Sequence, residues 1–208
     1  MKPIHPTAAQ LRALRKSDPA LAAAMRRVPA YPGFPHPSQR GSHFQSLARA
    51  VVYQQLSGNA AGTIYGRVCA LTEHRGFPRP ADALAMGEAP LRSAGLSRAK
   101  TRCILDLADR VDAGRLKLRS IGRLPDEEII ERLTEVWGIG VWSAQMFLIF
   151  RLGRLDVMPS GDLGVQEGLR ILDGLEERPS PAQLDERAQS WKPLRSVASW
   201  TLYRICDE

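Results

Sequence analysis

Apolar residues recur at steps of three and four along most of the chain, the spacing that places side chains on one face of an α-helix. Valine and isoleucine rarely alternate with polar residues, and no Asn-Gly or Asp-Gly turn joins two apolar runs, as β-hairpins would require. The pattern therefore predicts an all-α protein. Its predicted helical segments are 8–25, 43–70, 84–94, 100–113, 126–136, 141–152, 163–172, 181–191 and 196–205.

A proline-rich stretch, PAYPGFPHP at 29–37, separates the first predicted helix from the rest of the chain. Each proline lacks an amide donor and disfavours helix at the preceding residue, so we expect an extended connector. The expected organisation is an N-terminal helix and connector in 1–40, a central helical bundle in 41–152, and a C-terminal segment in 153–208 that packs with the N-terminal helix. The central bundle would form one helical lobe, and the N-terminal helix with the C-terminal segment would form the other. A cleft between the two lobes would hold the functional site.

Basic residues are concentrated in the first part of the chain. The net charge is +7 over 208 residues, but 1–120 carry 19 Lys and Arg against 7 Asp and Glu, whereas 121–208 have a net charge of −5. This asymmetry favours a nucleic-acid partner, although solvated arginine surfaces produce the same composition. Three scattered cysteines, an odd number, argue against a disulfide framework and against a metal clip, and they favour a reducing compartment. No apolar run has the length of a membrane span, and the first residues lack a secretory signal core.

The segment 126–152, DEEIIERLTEVWGIGVWSAQMFLIFRL, is the most informative. Two apolar helices flank a turn in which Gly138 and Gly140 allow positive φ and let backbone N–H groups approach a flat or charged partner. Ile139 would anchor the turn inward, and Ser143 keeps the start of the second helix narrow. Amides at such a helix start bind phosphate well. Without further context, a tight αα-hairpin that needs glycine only for its turn explains the same residues.

The wider pattern identifies a family. Leu-x-x-Val-x-Gly-Ile-Gly-x-x-Ser-Ala at 133–144 resembles the helix-hairpin-helix motif of DNA-binding proteins, and PSGDLGV follows at 159–165. HFQSLARAVVYQQLS precedes them at 43–57, LRSAGLSRAK at 91–100, and WKPLRSVASWTLY follows at 191–203. In this order the segments resemble the helix-hairpin-helix GPD superfamily of DNA base-excision glycosylases, most closely its 3-methyladenine DNA glycosylase II type.

The resemblance implies a glycosylase that flips alkylated purines out of double-stranded DNA and hydrolyses their N-glycosidic bond. It assigns Asp162 the catalytic role, because a carboxylate stabilises the positive charge that builds on the deoxyribose and orients the attacking water. Asp162 also fits the N-cap of the helix that follows, and the two roles are compatible. Such an enzyme would act as a monomer in the cytoplasm, associated with the nucleoid.

Departures from the family pattern restrict the chemistry. Relatives that also cleave the DNA backbone have a Schiff-base lysine where Trp142 stands, which implies a monofunctional enzyme without AP-lyase activity. Only Cys206 lies near the C-terminus, so the four closely spaced cysteines of an iron–sulfur cluster are missing. The resemblance does imply a Na⁺ or K⁺ ion on the hairpin carbonyls.

The remaining site residues also follow from the resemblance. The residues that would line the substrate pocket are Trp142, Tyr203, Met146 and Tyr53, with a packed core as the alternative for Trp142 and Tyr203. The segment 53–57 would supply the side chain that fills the gap left by the flipped base, and both Gln55 and Leu56 are candidates. The predicted DNA contacts are Gly138, Ile139, Gly140, Ser143, Gln55, Leu56, Ser97 and Lys100. Ser97 and Lys100 fit equally well an exposed basic helix start.

Two other functions remain open at this point. The chain could be a glycosylase for another lesion, such as uracil, hypoxanthine or an oxidised base. It could also be a non-catalytic module that binds damaged duplex DNA.

Overall fold

The computed structural model describes residues 2–36, 41–56, 58–74 and 76–207, and the regular structure in this part of the chain is helical. One β-type pairing occurs among these residues, an isolated antiparallel bridge between Ile4 and Phe34. The predicted all-α class is confirmed. The part of the chain that the structure describes contains no helix with the length and hydrophobicity of a membrane span.

Twelve α-helices are present in the described residues. They are α1 (Ala8–Ser17), α2 (Pro19–Arg27), α3 (His43–Tyr53), α4 (Gly58–Cys69), α5 (Pro80–Met86), α6 (Glu88–Ser93), α7 (Arg98–Asp112), α8 (Asp126–Thr134), α9 (Val141–Met146), α10 (Leu163–Asp173), α11 (Pro181–Arg187) and α12 (Arg195–Ile205). Short 3₁₀ turns occur at Ile121–Arg123 and Ala188–Trp191, and a π-helical turn over Phe147–Arg151 follows α9.

The chain divides into two compact units, Met1–Ser38 with Leu148–Glu208, and Gln39–Phe147. The first unit contains α1, α2 and α10 to α12, and its core surrounds the fully buried Trp191. Trp191 Nε1 donates a 2.7 Å hydrogen bond to Oδ2 of the buried Asp18, which also caps α2 by accepting the Leu21 amide at 2.9 Å. This buried carboxylate therefore joins the N-terminal helices to the C-terminal part of the same unit.

Gly168 allows α10 and α12 to pack closely. A Cβ atom at this position would lie 2.3 Å from the carbonyl oxygen of Leu202 on α12, a distance at which backbone would have to move. Glycine is therefore required by the close approach of the two helices, since its own backbone lies in an ordinary helix. The packing of α10 against α12 also fixes the position of Asp162, the residue that precedes α10.

The second unit is organised around α7, which packs against α3, α5 and α6. Cys103, Ile104, Leu107 and Ala108 of α7 are buried at helical spacing, as the sequence pattern predicts. The helices α8 and α9 form a hairpin that begins with three acidic residues, where the helix dipole favours negative charge.

Several predicted helices are interrupted in the structure. The predicted helix 8–25 is two helices, because Asp18 caps α2 and Pro19 has no amide to continue α1. The predicted segment 84–94 is likewise divided between α5 and α6 at Gly87, whose φ is 70°. The second hairpin helix is α-helical only to Met146 and continues as the π-helical turn.

A turn divides another predicted helix, and the proline-rich connector is irregular. The segment 43–70 is broken between α3 and α4 at Gln54–Leu56, and Ser57 lies outside the described residues. The predicted connector 29–37 is not helical over 29–36, and Pro37 lies outside the described residues.

Candidate functional site

The hairpin turn between α8 and α9 is fixed by Gly138 and Ile139. Gly138 has a φ of 85°, and a Cβ there would lie 3.2 Å from the Cβ of Cys103 on α7. Ile139 is only 3% exposed, which confirms that its side chain anchors the turn inward. Both the conformation of Gly138 and its close neighbour therefore require glycine.

Gly140 corrects one expectation from the sequence. Its φ of −96° is ordinary for any residue, so the positive φ expected at both glycines occurs at Gly138 alone. A Cβ at Gly140 would meet nothing within 4 Å in the described residues. The fold therefore does not require glycine at this position, which is exposed and is the N-cap of α9.

Large apolar side chains surround the exposed side of the turn. Trp137, Val141 and Trp142 are each at least 40% exposed, and the guanidinium of Arg102 lies 4.2 Å from the centre of the Trp137 ring. Trp142 therefore does not serve as core, which was the alternative to a pocket wall. Met146, one turn further along α9, is buried.

The proposed intercalating segment is a turn at the end of α3. Tyr53 ends the helix, half-buried, and the guanidinium of Arg49 lies 4.2 Å from the centre of its ring. Gln55 is the one residue other than glycine with positive φ, at 54°, in the described part of the chain. Gln55 and Leu56 are both exposed. The structure therefore leaves both candidate side chains accessible to a DNA duplex.

Ser97 and Lys100 lie at the start of α7, and both have partners within the protein. The Ser97 hydroxyl caps α7 by accepting the Lys100 amide at 3.2 Å. Lys100 Nζ donates to the carbonyl oxygens of Val52 and Gln54, at 2.7 and 2.8 Å. Burial lowers the pKa of this ammonium group below its ordinary value. The DNA contacts expected of Ser97 and Lys100 stay a prediction.

Asp162 lies at the start of α10 and is 8% exposed. Its Oδ1 accepts the amides of Gly164 at 2.8 Å and Val165 at 3.0 Å, so the expected N-cap is confirmed. Its Oδ2 accepts a 2.6 Å hydrogen bond from the hydroxyl of Tyr203 on α12. Three donors therefore fix both oxygens of this carboxylate.

Gly164 allows Tyr203 to reach Asp162. A Cβ at Gly164 would lie 3.1 Å from Cε1 of Tyr203 and 3.2 Å from Oδ1 of Asp162. Gly164 and Gly168 are four residues apart, so they share the face of α10 that meets α12. The sequence analysis placed Tyr203 in the pocket but missed its hydrogen bond, which depends on the packing of two helices.

The predicted site residues thus form two groups, one in each unit. The first unit brings Asp162 and Tyr203 together. The second unit brings the hairpin, the Gln54–Leu56 turn and Lys100 together, since Gln54 Nε2 donates a 3.1 Å hydrogen bond to Oγ of Ser143 on α9. Gln54 itself was not among the predicted site residues.

Comparisons with known proteins place the chain in a family. A family model described as HhH-GPD superfamily base excision DNA repair protein matches residues 48–193. DNA-3-methyladenine glycosylase 1 of Schizosaccharomyces pombe is 35% identical over 162 residues, which cover 77% of this chain and 71% of the relative.

Solved structures extend the likeness to the fold. The S. pombe 3-methyladenine DNA glycosylase Mag1, in complex with abasic DNA, superimposes with a TM-score of 0.83 at 30% identity, over 95% of both chains. A DNA-3-methyladenine glycosidase of Bacillus halodurans gives a TM-score of 0.81 at 32% identity, over 98% of this chain and 91% of the other.

Proposed function

Because the chain belongs to the HhH-GPD superfamily of base excision DNA repair proteins, we propose that it is a DNA glycosylase that removes alkylated purines of the 3-methyladenine type from duplex DNA. The observation that carries the proposal is the Asp162 carboxylate, held by three donors at the start of α10. The relatives named above are 3-methyladenine glycosylases, and one of them has been captured on abasic DNA.

Asp162 would act on charge that develops during bond cleavage. As the bond between C1′ and the base nitrogen breaks, the base takes the bonding electrons and the deoxyribose becomes cationic. A carboxylate whose orientation is already fixed stabilises that cation without reorganising during the reaction. Water then adds its oxygen to C1′ and releases a proton, so that a free base and an abasic site remain.

Alkylation makes the purine a good leaving group and gives its ring a positive charge. A cationic ring is attracted to the faces of aromatic side chains, and Trp142 exposes such a face on α9. We propose that Trp142 contacts the flipped base, with Met146 and Tyr53 of the same unit as further pocket residues. An aromatic pocket of this kind favours lesions that are already labile, because ring faces attract a cationic base without selecting its edge.

We further propose that the enzyme is monofunctional. A lyase reaction needs an amine that attacks C1′ and forms a Schiff base with the opened sugar. Trp142 stands two residues after Gly140, where the family resemblance implies that lysine in bifunctional relatives. Water would then be the nucleophile, and the DNA backbone would stay intact.

The hairpin turn suits a monovalent cation. Its residues Gly138, Ile139 and Gly140 have no side-chain oxygen, so backbone carbonyls are the ligands that it can offer. Uncharged carbonyl oxygens are typical ligands of K⁺ and Na⁺. Such an ion would hold the turn together and add positive charge next to a DNA phosphate.

A lesion panel tests the proposal. Duplexes that contain 3-methyladenine, 7-methylguanine, uracil, hypoxanthine or 8-oxoguanine are incubated with the protein, and free bases are measured. We expect release of the alkylated purines, and no covalent complex after borohydride reduction. Release of uracil or 8-oxoguanine alone would reassign the substrate, and tight binding of abasic DNA without release of any base would identify a binding module.

A further inference from the structure

We propose that Lys100 is a positioning residue for base extrusion, because its ammonium group holds the Gln54–Leu56 turn in the conformation that presents the intercalating side chain. This inference rests on the proposed function and on the sequence-based prediction that this turn fills the gap left by the flipped base. It differs from the sequence-based prediction, in which Lys100 contacts a DNA phosphate directly.

The ammonium group lies at the end of α3. The last carbonyl groups of a helix have no amide partner within the helix, and a glycine in the left-handed region often completes this end. Here the carbonyls of Val52 and Gln54 accept hydrogen bonds from Lys100 Nζ, at 2.7 and 2.8 Å. Lys100 is more than forty residues away in sequence, so α7 supplies the donor for these two carbonyls at the end of α3.

A second contact fixes the same turn from the hairpin. The side chain of Gln54 donates a 3.1 Å hydrogen bond to Oγ of Ser143, which is buried near the start of α9. The backbone of Gln54 is therefore held by α7, and its side chain by α9. The next residue, Gln55, is attached to a point that is fixed on both sides.

The conformation of Gln55 explains why the turn needs this support. With a φ of 54°, Gln55 occupies the left-handed region that residues with a Cβ rarely adopt. Without the two hydrogen bonds from Lys100, the turn would relax to conformations that point Gln55 and Leu56 elsewhere. A side chain inserts into a base stack most easily when it is already oriented, because no ordering then accompanies the extrusion.

Arg98 provides a matched control for charge. It lies on the same turn of α7 and is exposed. Lys100→Met and Arg98→Met each remove one positive charge from one helix start. A purely electrostatic role of Lys100 would give both variants the same phenotype, whereas a positioning role affects Lys100→Met alone.

The experiment measures unstacking directly. A duplex carries 2-aminopurine opposite a tetrahydrofuran abasic-site analogue, and its fluorescence is recorded at saturating protein. We expect Arg98→Met to reach the wild-type fluorescence amplitude. Lys100→Met should reach less than about half of it, because the intercalating side chain no longer enters the base stack reliably. Lys100→Arg should recover most of the amplitude, since a guanidinium can donate to both carbonyls. Gln54→Ala, which changes no charge, should also reduce it.

Excision rates give an independent reading. Lys100→Met should slow single-turnover release of a normally paired lesion by about tenfold, but release of the same lesion opposite an abasic site by less than about threefold, because that base is already unpaired. In a protein that also carries Gln55→Gly and Leu56→Ala, Lys100→Met should slow release little further, because the side chains that Lys100 would position are absent. Thermal unfolding of each variant controls for loss of fold.

The outcomes separate this inference from the proposed function. Equal fluorescence amplitudes for Lys100→Met, Gln54→Ala and wild type would overturn the inference. An equal loss of amplitude in Lys100→Met and Arg98→Met would also overturn it, and so would a wild-type protein that leaves 2-aminopurine stacked. A wild-type protein that unstacks the duplex but releases no base contradicts the proposed function and leaves the role of Lys100 intact. If Lys100→Met does not fold, Lys100→Arg and Gln54→Ala decide the outcome.

Discussion

The hydroxyl of Tyr203 donates a 2.6 Å hydrogen bond to Oδ2 of Asp162. Because the other carboxylate oxygen caps α10, the orientation of the group is set by two helices that are held together across Gly164 and Gly168. The proposed catalytic carboxylate is therefore part of the packing of its own unit. Its geometry is fixed before any substrate binds, as electrostatic stabilisation of a cation requires.

Tyr203→Phe tests whether the hydroxyl matters. The variant keeps the aromatic ring but removes a hydrogen bond to a charged group, which contributes about 1.5–3 kcal/mol in proteins. We expect the single-turnover excision rate to fall by about tenfold or more, while affinity for abasic DNA changes little. Full activity would mean that Tyr203 serves only as an aromatic wall of the pocket.

The two glycines of the hairpin should behave differently when each is changed to alanine. Gly140→Ala should keep its free energy of unfolding within about 0.5 kcal/mol, since its φ is ordinary and the added methyl meets no described atom. Its DNA affinity should nevertheless fall by about tenfold, because the methyl would lie where we propose that the DNA backbone approaches.

Gly138→Ala is the control for that comparison. Its positive φ and the nearby Cys103 should make the variant less stable by about 1–3 kcal/mol. Denaturant unfolding and fluorescence anisotropy with a labelled duplex measure the two effects. Unchanged DNA binding by Gly140→Ala would contradict the proposed interface.

Gln55→Gly removes a candidate intercalating side chain, and glycine readily keeps the backbone conformation of this position. Relief of the left-handed strain and the greater flexibility of glycine in the unfolded chain oppose each other, so stability should change by less than about 1 kcal/mol. We expect excision of a paired lesion to slow by about tenfold if Gln55 intercalates. Leu56→Ala, assayed in parallel, identifies the alternative wedge, and unchanged rates in both variants would exclude this turn from extrusion.

Asp18 should contribute strongly to stability in a pH-dependent way. Burial raises the pKa of this carboxyl, but hydrogen bonds from Leu21, Trp191 and Arg187 outweigh that effect and hold the pKa below its ordinary value. The stabilisation is therefore fully present above the unfolded-state pKa of about 3.9 and is lost as the pH falls through the folded-state pKa.

Asp18→Asn should thus lower the free energy of unfolding by about 3 kcal/mol at pH 7, and the difference from wild type should shrink below about pH 4. Asp173→Asn is the control, because Asp173 pairs with the same Arg187 but is more exposed. It should cost less than about 1 kcal/mol. A difference for Asp18→Asn that does not depend on pH would contradict the assignment of a charged carboxylate.

Local signals in the sequence predict most helices and the hairpin, because amphipathic spacing and glycine turns depend on neighbouring residues. The interruptions at Asp18 and Gly87 could be anticipated only in part, since each depends on a cap or a φ value that the apolar pattern does not record. The pairing of Trp191 with Asp18, 173 residues apart, has no local signal at all.

The same distinction applies to the site. Asp162 could be found from its motif, and its N-cap from its place before a helix. The bonds from Tyr203 to Asp162 and from Lys100 to the α3 carbonyls join residues that are 41 to 48 positions apart. They arise from the packing of helices, so the sequence suggested a pocket wall for Tyr203 and a DNA contact for Lys100 but gave no sign of these hydrogen bonds.

The most direct measurement is single-turnover release of 3-methyladenine from duplex DNA by wild type and Asp162→Asn. Asparagine keeps the oxygen that caps α10, so the variant should fold and bind abasic DNA normally. Its neutral side chain cannot stabilise the deoxyribose cation, and we expect the release rate to fall by about a hundredfold or more. A folded Asp162→Asn protein that releases the base within a few-fold of the wild-type rate would contradict the account.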